Sequence, residues 1–262
     1  MSRKFFAAAA VVLAAVMAAG TASAQSRVWN LGDITAPGSC PTGGGTYTAA
    51  FGNTLSCSIQ PSGTTTSLEV TGFSNTASAG TIYATTAVNY QGTGSGIGTF
   101  NQSEGLAAGS PDHAIDNNGT GSDMVLLKFT SAEVLKSVKL GWGGADTDFQ
   151  VLRWTGVGAA TAIAGRTAAQ LLTDGWALVT AVNGALAPGN VDTTYSINTG
   201  NVSSSYWLIS AYNSAFGGGA FSTGVDAFKL LEVVAAVSAP GTLALAGLAL
   251  LIMAQVRRRR TV

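Results

Sequence analysis

Aspartates with the spacing of a cation site stand at two places in the sequence. Asp146 and Asp148 are one residue apart, after a Gly-Gly pair and before a predicted strand. Two carboxylates so close on a tight loop can share a hard cation such as Ca²⁺, which prefers oxygen ligands. Neither this pair nor the second aspartate cluster, given below, has the EF-hand pattern. Asp and Asn also form turns by bonding their own backbone, so solvated turns are the alternative interpretation at both places. The second cluster surrounds a glycine turn and consists of Asp112, Asp116, Asn117, Asn118 and Asp123.

The sequence contains no recognisable set of catalytic residues for a hydrolase. His113 is the sole histidine, and its place beside Asp112 in a Gly- and Asn-rich loop is typical of a hydrogen-bonding turn residue. The G-x-S-x-G nucleophile motif does not occur. A glycosidase needs two carboxylates about 5–9.5 Å apart, and nothing in the sequence brings two glutamates together. We therefore predict that the protein is not an enzyme. The glutamates considered are Glu69, Glu104, Glu133 and Glu232.

Tryptophans are the residues best suited to stack on the faces of sugar rings. Large aromatic side chains in strands usually belong to the core, because each buries about 150–250 Å². Trp154 and Trp207 lie in apolar runs and are predicted to be core residues, whereas Trp142 lies in a glycine-rich loop. Trp142 is therefore the candidate glycan contact.

Cys40 and Cys57 are the only cysteines. An even pair in an exported chain predicts one disulfide. Its loop of about 17 residues would contribute roughly 3 kcal/mol. A zinc site lacks partner ligands, and a redox pair would favour a two-residue spacing.

Short apolar or β-branched runs, bounded by Gly, Asn, Asp and Ser, recur through residues 25–238 and predict an all-β fold. The continuous run Val125-Leu126-Leu127 is typical of a strand buried on both faces. One short helix is predicted over Arg166–Leu172, ending at Asp174-Gly175. We expect a single β-sandwich, jelly-roll-like, as the whole exported body. The predicted strands are Ser67–Thr71, Met124–Phe129, Val134–Leu140, Asp148–Trp154, Trp176–Ala181, Tyr206–Ala211 and Asp226–Val234, with weaker patterns at Thr46–Ala50, Leu55–Ile59, Thr81–Tyr83 and Ile97–Phe100.

The two ends of the chain have the composition of targeting segments. Arg3 and Lys4 precede an apolar run and an Ala-x-Ala site, which predicts a signal peptide over residues 1–24, cleaved between Ala24 and Gln25. Residues 239–262 contain an apolar stretch with no polar face, which predicts a transmembrane tail. Positive charge stays on the cytoplasmic side, so the body is expected to be exported. The tail opens with Pro240, Gly241 and Thr242 and closes with Arg257, Arg258, Arg259 and Arg260.

This order of Pro-Gly-Thr, apolar span and arginine cluster resembles the PEP-CTERM sorting signal of Gram-negative bacteria. The usual Val-Pro-Glu-Pro is replaced here by Val237-Ser238-Ala239-Pro240. A second stretch, Leu140 to Gly156, with the pattern GW-x3-DxDF-x3-RWTG, is similar to one group of exosortase-dependent surface proteins, as are the segments around Trp176 and Tyr206 to Asn213. The resemblance implies a transient anchor in the inner membrane, processing by an exosortase near Pro240, and a final place at the cell surface or outside the cell.

The distribution of charged residues argues against nucleic acid as a partner of this protein. The chain has 13 basic and 13 acidic residues, but without the two terminal segments seven basic and thirteen acidic residues remain, a formal net charge of −6. A nucleic-acid-binding protein needs many Lys and Arg facing phosphate, so nucleic acid is not an expected partner. We expect a surface or matrix protein with a structural or adhesive role, associated with exopolysaccharide. A carbohydrate-binding module, either with or without Ca²⁺, is the alternative, and a secreted hydrolase is the least favoured one.

Overall fold

Antiparallel β-strands make up most of the residues that the computed structural model of this protein describes. Those residues are 26–32, 51–59, 66–75, 80–88, 94–101, 113–119, 121–184, 188–221 and 224–237. The predicted signal peptide with its cleavage site, the sorting segment 239–262 and the predicted strand Thr46–Ala50 lie outside them. Ser26–Ala236 is one compact unit.

The described ranges contain thirteen strands and one α-helix, α1 (Ala168–Asp174). This composition confirms the predicted all-β class. A 3-10 turn at Ser214–Phe216 follows β12. The strands are β1 (Ser26–Asn30), β2 (Thr54–Ile59), β3 (Thr66–Asn75), β4 (Ile82–Ala84), β5 (Thr86–Val88), β6 (Gly98–Phe100), β7 (Ile115–Asp116), β8 (Asp123–Gly143), β9 (Phe149–Trp154), β10 (Trp176–Val182), β11 (Gly189–Ser196), β12 (Ser204–Ala211) and β13 (Ala227–Val237).

Strand β8 organises the large antiparallel sheet. The sheet runs in the order β1-β13-β8-β12-β9-β10, and β3 and β11 also pair with β8. The first part of β8, 123–129, pairs with β3 and β12, whereas 137–143 pairs with β11. We had expected two strands here, Met124–Phe129 and Val134–Leu140. No Gly or Pro separates them, so the chain stays extended while it exchanges its neighbours.

Burial follows the alternation of side chains along the strands. Val125 and Leu127 are fully buried in the larger apolar cluster, and Met124 is buried in the smaller cluster on the opposite face. Leu126 packs against that smaller cluster as well. The prediction of a strand buried on both faces is therefore confirmed. The prediction of a core Trp207 is confirmed too, whereas Trp154 is half-buried against the smaller cluster.

Helix α1 begins and ends where local sequence signals place it. Thr167 accepts a hydrogen bond from Gln170 N–H, and the Gln170 side chain accepts one from Thr167 N–H, which is a capping box. Gly175 closes the helix in the left-handed conformation, with φ of 115°. Ala168 and Leu171 are buried in the smaller apolar cluster. The helix predicted over Arg166–Leu172 is thus confirmed, with a start two residues later than expected.

Four strands lack the sequence pattern used to predict the others. Strand β1 begins two residues after the end of the predicted signal peptide, and β5 and β7 have three residues or fewer. Strand β11 is a polar run whose pairing with β8 shifts register between Asn190 and Thr193, and Asp192 has a positive φ of 48°. An irregular polar strand produces no alternation of apolar and polar residues, so the sequence did not reveal it.

Within the described ranges, no helix is long and apolar enough to cross a membrane.

Candidate functional site

Three carboxylates from two distant parts of the chain meet at one end of the sheet. Asp146 and Asp148 lie in the connection between β8 and β9, and Asp226 immediately precedes β13. One carboxylate oxygen from each lies within 4.8 Å of the others. Asp148 and Asp226 are fully buried. The predicted Asp146 and Asp148 pair is therefore joined by a third carboxylate that the sequence analysis did not include.

Backbone pairing holds the two parts together. Asp146 and Asp226 form an isolated parallel bridge, in which Ala227 N–H donates to Asp146 O at 3.0 Å. Asp148 N–H donates to Asp226 Oδ1 at 3.0 Å. Gly184 N–H, after β10, donates to Asp148 Oδ1 at 2.8 Å. Thr147 N–H donates to Asp146 Oδ1 at 3.0 Å, so each of the three carboxylates accepts a hydrogen bond from a main-chain N–H.

Asn117 forms the outer wall of this carboxylate cluster. Its Nδ2 donates to Asp226 Oδ2 at 2.6 Å, and its Oδ1 accepts from Asp226 N–H at 2.7 Å. The same Nδ2 lies 3.3 Å from Tyr212 O. The side-chain amide of Asn117 therefore connects the carboxylates to the loop that follows β12.

The electrostatics of the cluster are dominated by burial. Burial, helped by the nearby Asp148 and Asp146 carboxylates, raises the pKa of Asp226 to about 7, against the lowering effect of the hydrogen bonds from Asp148 N–H and Asn117. Like charges so close cannot all remain ionised without compensation. At neutral pH the cluster can be neutralised in two ways: by a proton on Asp226, or by a cation bound to the three carboxylates.

The second predicted aspartate cluster is arranged differently. Asp116 Oδ1 accepts from Asn118 N–H at 2.9 Å, the geometry of a side chain that closes a turn. Asp123 Oδ2 accepts from Thr99 Oγ1 at 2.6 Å, and its Oδ1 accepts from Asn101 Nδ2 at 3.2 Å. Among the described residues, the only group of three or more potential metal ligands is Asp146, Asp148 and Asp226. Asp112 lies outside the described ranges.

Glutamates and the histidine are engaged in other contacts. Glu69 accepts from Lys128 Nζ at 2.7 Å on the surface. Glu133 is fully buried and forms an ion pair with Arg27. His113 is buried with its ring stacked on Phe100 at a centroid distance of 6.1 Å. Glu104 lies outside the described part of the chain.

Cys57 is fully buried in β2. The described part of the chain holds no free cysteine. Cys40 lies outside the described residues, so the predicted pairing of the two stays a prediction. Intact mass before and after reduction, with thiol labelling, tests it.

Trp142, the candidate glycan contact, is half-buried within β8, so its predicted position in a loop is wrong. Lys229 Nζ lies 5.8 Å from the centroid of its ring, within the range of a cation–π contact. Burial lowers the pKa of Lys229 to about 8. One face of Trp142 is thus taken by a lysine of its own chain.

A cleft lies beside Asn117, which forms part of its wall. Its volume is about 520 Å³, and its walls come from four parts of the chain. Sequence analysis did not find it, since its residues are spread from the end of β3 to the start of β13. The lining residues include Asn75, Asn117, Ser122, Tyr212, Asn213 and Phe221.

Asp226 was missed as a site residue because it was read as the first residue of a predicted strand. Asp226 is 78 residues from Asp148 in the sequence, so no local sequence pattern connects the two. A weak signal does exist: an aspartate directly before an apolar strand, after Gly224, resembles the placement of Asp148 before β9.

Comparisons of the chain with protein-family models, with curated proteins and with solved structures found no match. The geometry described above is therefore the basis on which a function is proposed.

Proposed function

We propose that this chain is an exported cell-surface or extracellular-matrix protein with a structural or adhesive role associated with exopolysaccharide. In this proposal a signal peptide directs export and the tail holds the chain in the inner membrane of a Gram-negative bacterium. An exosortase then processes the tail, and the body remains at the surface or outside the cell. The body itself acts as a β-sandwich of jelly-roll-like type.

The observation that carries the proposal is the position of the first and last strands. Strand β1 pairs antiparallel with β13, and Ser26 lies opposite Ala236. The compact unit starts two residues after Ala24 and stops four residues before Pro240. Both targeting segments therefore join the folded body at one pair of strands. Their removal would leave every described strand in place.

The arrangement around β8 supports the β-sandwich. Strands β3 and β12, which pair with the first part of β8, and β13, its other neighbour in the sheet order, all contribute to the larger apolar cluster. Val151, Trp207 and Ile209 come from β9 and β12, whereas Phe228 and Leu230 come from β13. In the proposed sandwich, the strands on either side of β8 in this continuous sheet face each other across the cluster.

Intact-mass spectrometry of the protein from cells that carry an exosortase tests export and processing. We expect a mature chain that begins at Gln25 and ends near Pro240. A chain that keeps its four terminal arginines and stays in the inner membrane of such cells would contradict the proposal. A variant with Arg257–Arg260 replaced by serine serves as the control for retention and processing of the tail.

A second candidate function, Ca²⁺ binding, is favoured by the third carboxylate. We propose that Asp146, Asp148 and Asp226 together hold a Ca²⁺ ion that stabilises the connection between β8, β9 and β13. Three hard oxygen donors within 4.8 Å match the ligand preference of Ca²⁺. The net charge of −6 on the body favours cation binding in general.

Thermal unfolding of chelator-treated protein at pH 7.5 tests the cation site. Binding to the native state alone stabilises it, so we expect millimolar Ca²⁺ to raise Tm by about 5 °C. Asp226→Asn and Asp148→Asn should abolish the shift, while the exposed-site variant Asp192→Asn should retain it. An unchanged Tm in the parent protein, or an equal shift in Asp226→Asn, would disprove the site.

A further inference from the structure

The cleft beside Asn117 has the walls of a small-molecule binding site. Its volume of about 520 Å³ falls within the roughly 300–1,000 Å³ of ligand pockets. One wall is the loop after β12, and the others are the end of β3, the turn before β8 and the residues before β13. The lining residues in the described part of the chain are Asn75, Asn117, Gly119, Gly121, Ser122, Tyr212, Asn213, Ser214, Ala220, Phe221, Gly224 and Val225.

Two aromatic rings form the apolar part of this cleft. Tyr212 and Phe221 lie with their ring centroids 5.0 Å apart and their planes tilted by 52°. Tyr212 Oη donates to Gly219 O at 2.5 Å, which fixes the ring within its loop. Both rings are half-buried, so each keeps part of its surface in the cleft. Neither belongs to the two core clusters among the described residues.

Amide groups supply the polar part. Asn75 Oδ1 accepts from Ser122 N–H, and Asn213 Oδ1 accepts from Ala215 N–H at 3.0 Å. These bonds orient each amide through its oxygen and leave the two Nδ2 groups as donors at the cleft. The hydroxyl of Ser214, which is exposed, adds a group that can donate or accept.

Charge is missing from the described lining. None of the cleft residues named above is Asp, Glu, Lys, Arg or His. An ionic ligand would find no counter-charge there, and a wholly apolar ligand would leave the amides without partners. A ligand with an apolar face and many hydroxyl groups satisfies both parts of the wall.

We propose that this cleft binds a neutral carbohydrate. The apolar C–H face of a pyranose ring packs against Tyr212 and Phe221, and its hydroxyls accept hydrogen bonds from the Asn75 and Asn213 amides. The inference rests on the proposed function, because it gives the adhesive role toward exopolysaccharide a binding site. It assigns the contact to this cleft and not to Trp142, whose ring is already in contact with Lys229.

Asn117 acts as a positioning residue for the cleft. Its amide is used by Asp226 and by Tyr212 O, so it holds the Tyr212 loop against the carboxylate cluster. The carbohydrate site and the carboxylate cluster therefore share one wall.

Glycan binding by the full chain in mild detergent tests the proposal. The probes are arrayed neutral oligomers of glucose, galactose and mannose, with uronic-acid oligomers as the acidic comparison. We expect binding of at least one neutral series. Phe221→Ala removes a stacking ring and should weaken that binding about tenfold or more. Asn75→Asp keeps an oxygen for Ser122 N–H but removes the donor, and should also weaken it about tenfold.

Phe51→Ala is the matched control, because Phe51 is an exposed aromatic residue outside the cleft. It should bind as the parent protein does. Circular dichroism checks the fold of each variant, and Asn75→Asp decides the question if Phe221→Ala does not fold. The proposal is overturned if no neutral glycan binds, if only acidic glycans bind, or if the folded cleft variants bind as well as the parent.

The outcome is separable from that of the proposed function. A chain that is exported and processed but binds no neutral glycan removes the cleft proposal alone. A chain that binds neutral glycan through this cleft but keeps its terminal arginines removes the processing proposal alone.

Discussion

Buried carboxyl groups are the residues whose chemistry this fold changes most. Asp123 is almost fully buried at the start of β8, where Thr99 and Asn101 donate to its two oxygens. Burial raises its pKa to about 6, and these hydrogen bonds together with one involving Ser74 limit the rise. The protonated form is therefore retained in the folded protein at pH values where the unfolded chain has lost its proton.

Asp123 makes stability fall as pH rises. Its folded pKa of about 6 lies above the ordinary value of 3.8, so its contribution is complete below about pH 4 and lost as pH rises through 6. The free energy of unfolding of the parent protein, minus that of Asp123→Asn, should decrease across this window by at most about 1.4 kcal/mol per pH unit. Urea unfolding at several pH values measures it. Asp192→Asn, at an exposed carboxylate, is the control, and a difference that stays flat for Asp123→Asn would contradict the prediction.

At the residue scale, the sequence predicted two of the three carboxylates of the cluster. Asp146 and Asp148 stand together because they belong to one short loop, and a pair one residue apart is visible in any sequence. Asp226 joins them only because β13 runs beside the loop between β8 and β9. That neighbourhood depends on strand order, which no local pattern encodes.

At the scale of elements, the predictions from local pattern agree with the structure where the pattern was strong. The apolar run 125–127 and the short helix with its Gly175 end are both present, whereas the N-cap at Thr167 was not predicted. The predicted boundary between two strands inside β8 was wrong. Three exposed residues, 130–132, interrupt the burial of side chains there, while the strand backbone continues. Burial periodicity reports the environment of side chains, whereas strand continuity depends on the hydrogen bonds of the backbone.

The chain contains 34 glycines, and some of them lie where two backbone segments approach each other closely. A Cβ built on Gly98 in β6 would lie 1.8 Å from His113 O, a main-chain atom that cannot move alone. Thr99 N–H donates to Ala114 O at 3.2 Å, so β6 lies directly on the segment that leads into β7.

Gly98→Ala should therefore separate these elements and lower the free energy of unfolding by about 3 kcal/mol or more. Gly200→Ala is the matched control, because nothing lies within 4 Å of its Cβ position. It should leave stability unchanged or raise it by up to about 1 kcal/mol. Denaturant unfolding measures both, and an equal effect of the two substitutions would contradict the close contact at β6.

At the scale of the whole molecule, an ion pair ties the first strand to the centre of the sheet. Arg27 in β1 and Glu133 in β8 are both buried and paired, 106 residues apart in sequence. Burial raises the pKa of Glu133, while Ser131 and Arg27 oppose the rise. The pair lies where β8 changes from one set of neighbours to the other.

Removal of one partner leaves a buried charge without its counter-charge. Arg27→Met should cost about 3–5 kcal/mol, and the double variant Arg27→Met/Glu133→Leu should recover most of that loss. Lys128→Met, which breaks the exposed pair with Glu69, is the control and should cost about 1 kcal/mol or less. A double-mutant cycle by urea unfolding measures the coupling, and a loss in Arg27→Met no larger than in Lys128→Met would rule out this role.

The sequence by itself determined the all-β class, the strong strands, the short helix with its end at Gly175, and the acidic balance of the body. These properties follow from local composition and periodicity, which act over a few residues. Only the tertiary structure decided that Asp226 joins Asp146 and Asp148, that Arg27 reaches Glu133, and that Tyr212 and Phe221 share a cleft with Asn75. Those contacts join residues that are more than 70 positions apart, so they depend on the order and register of the strands. Closing such long loops costs conformational entropy, and only the packing of the whole core compensates for that cost.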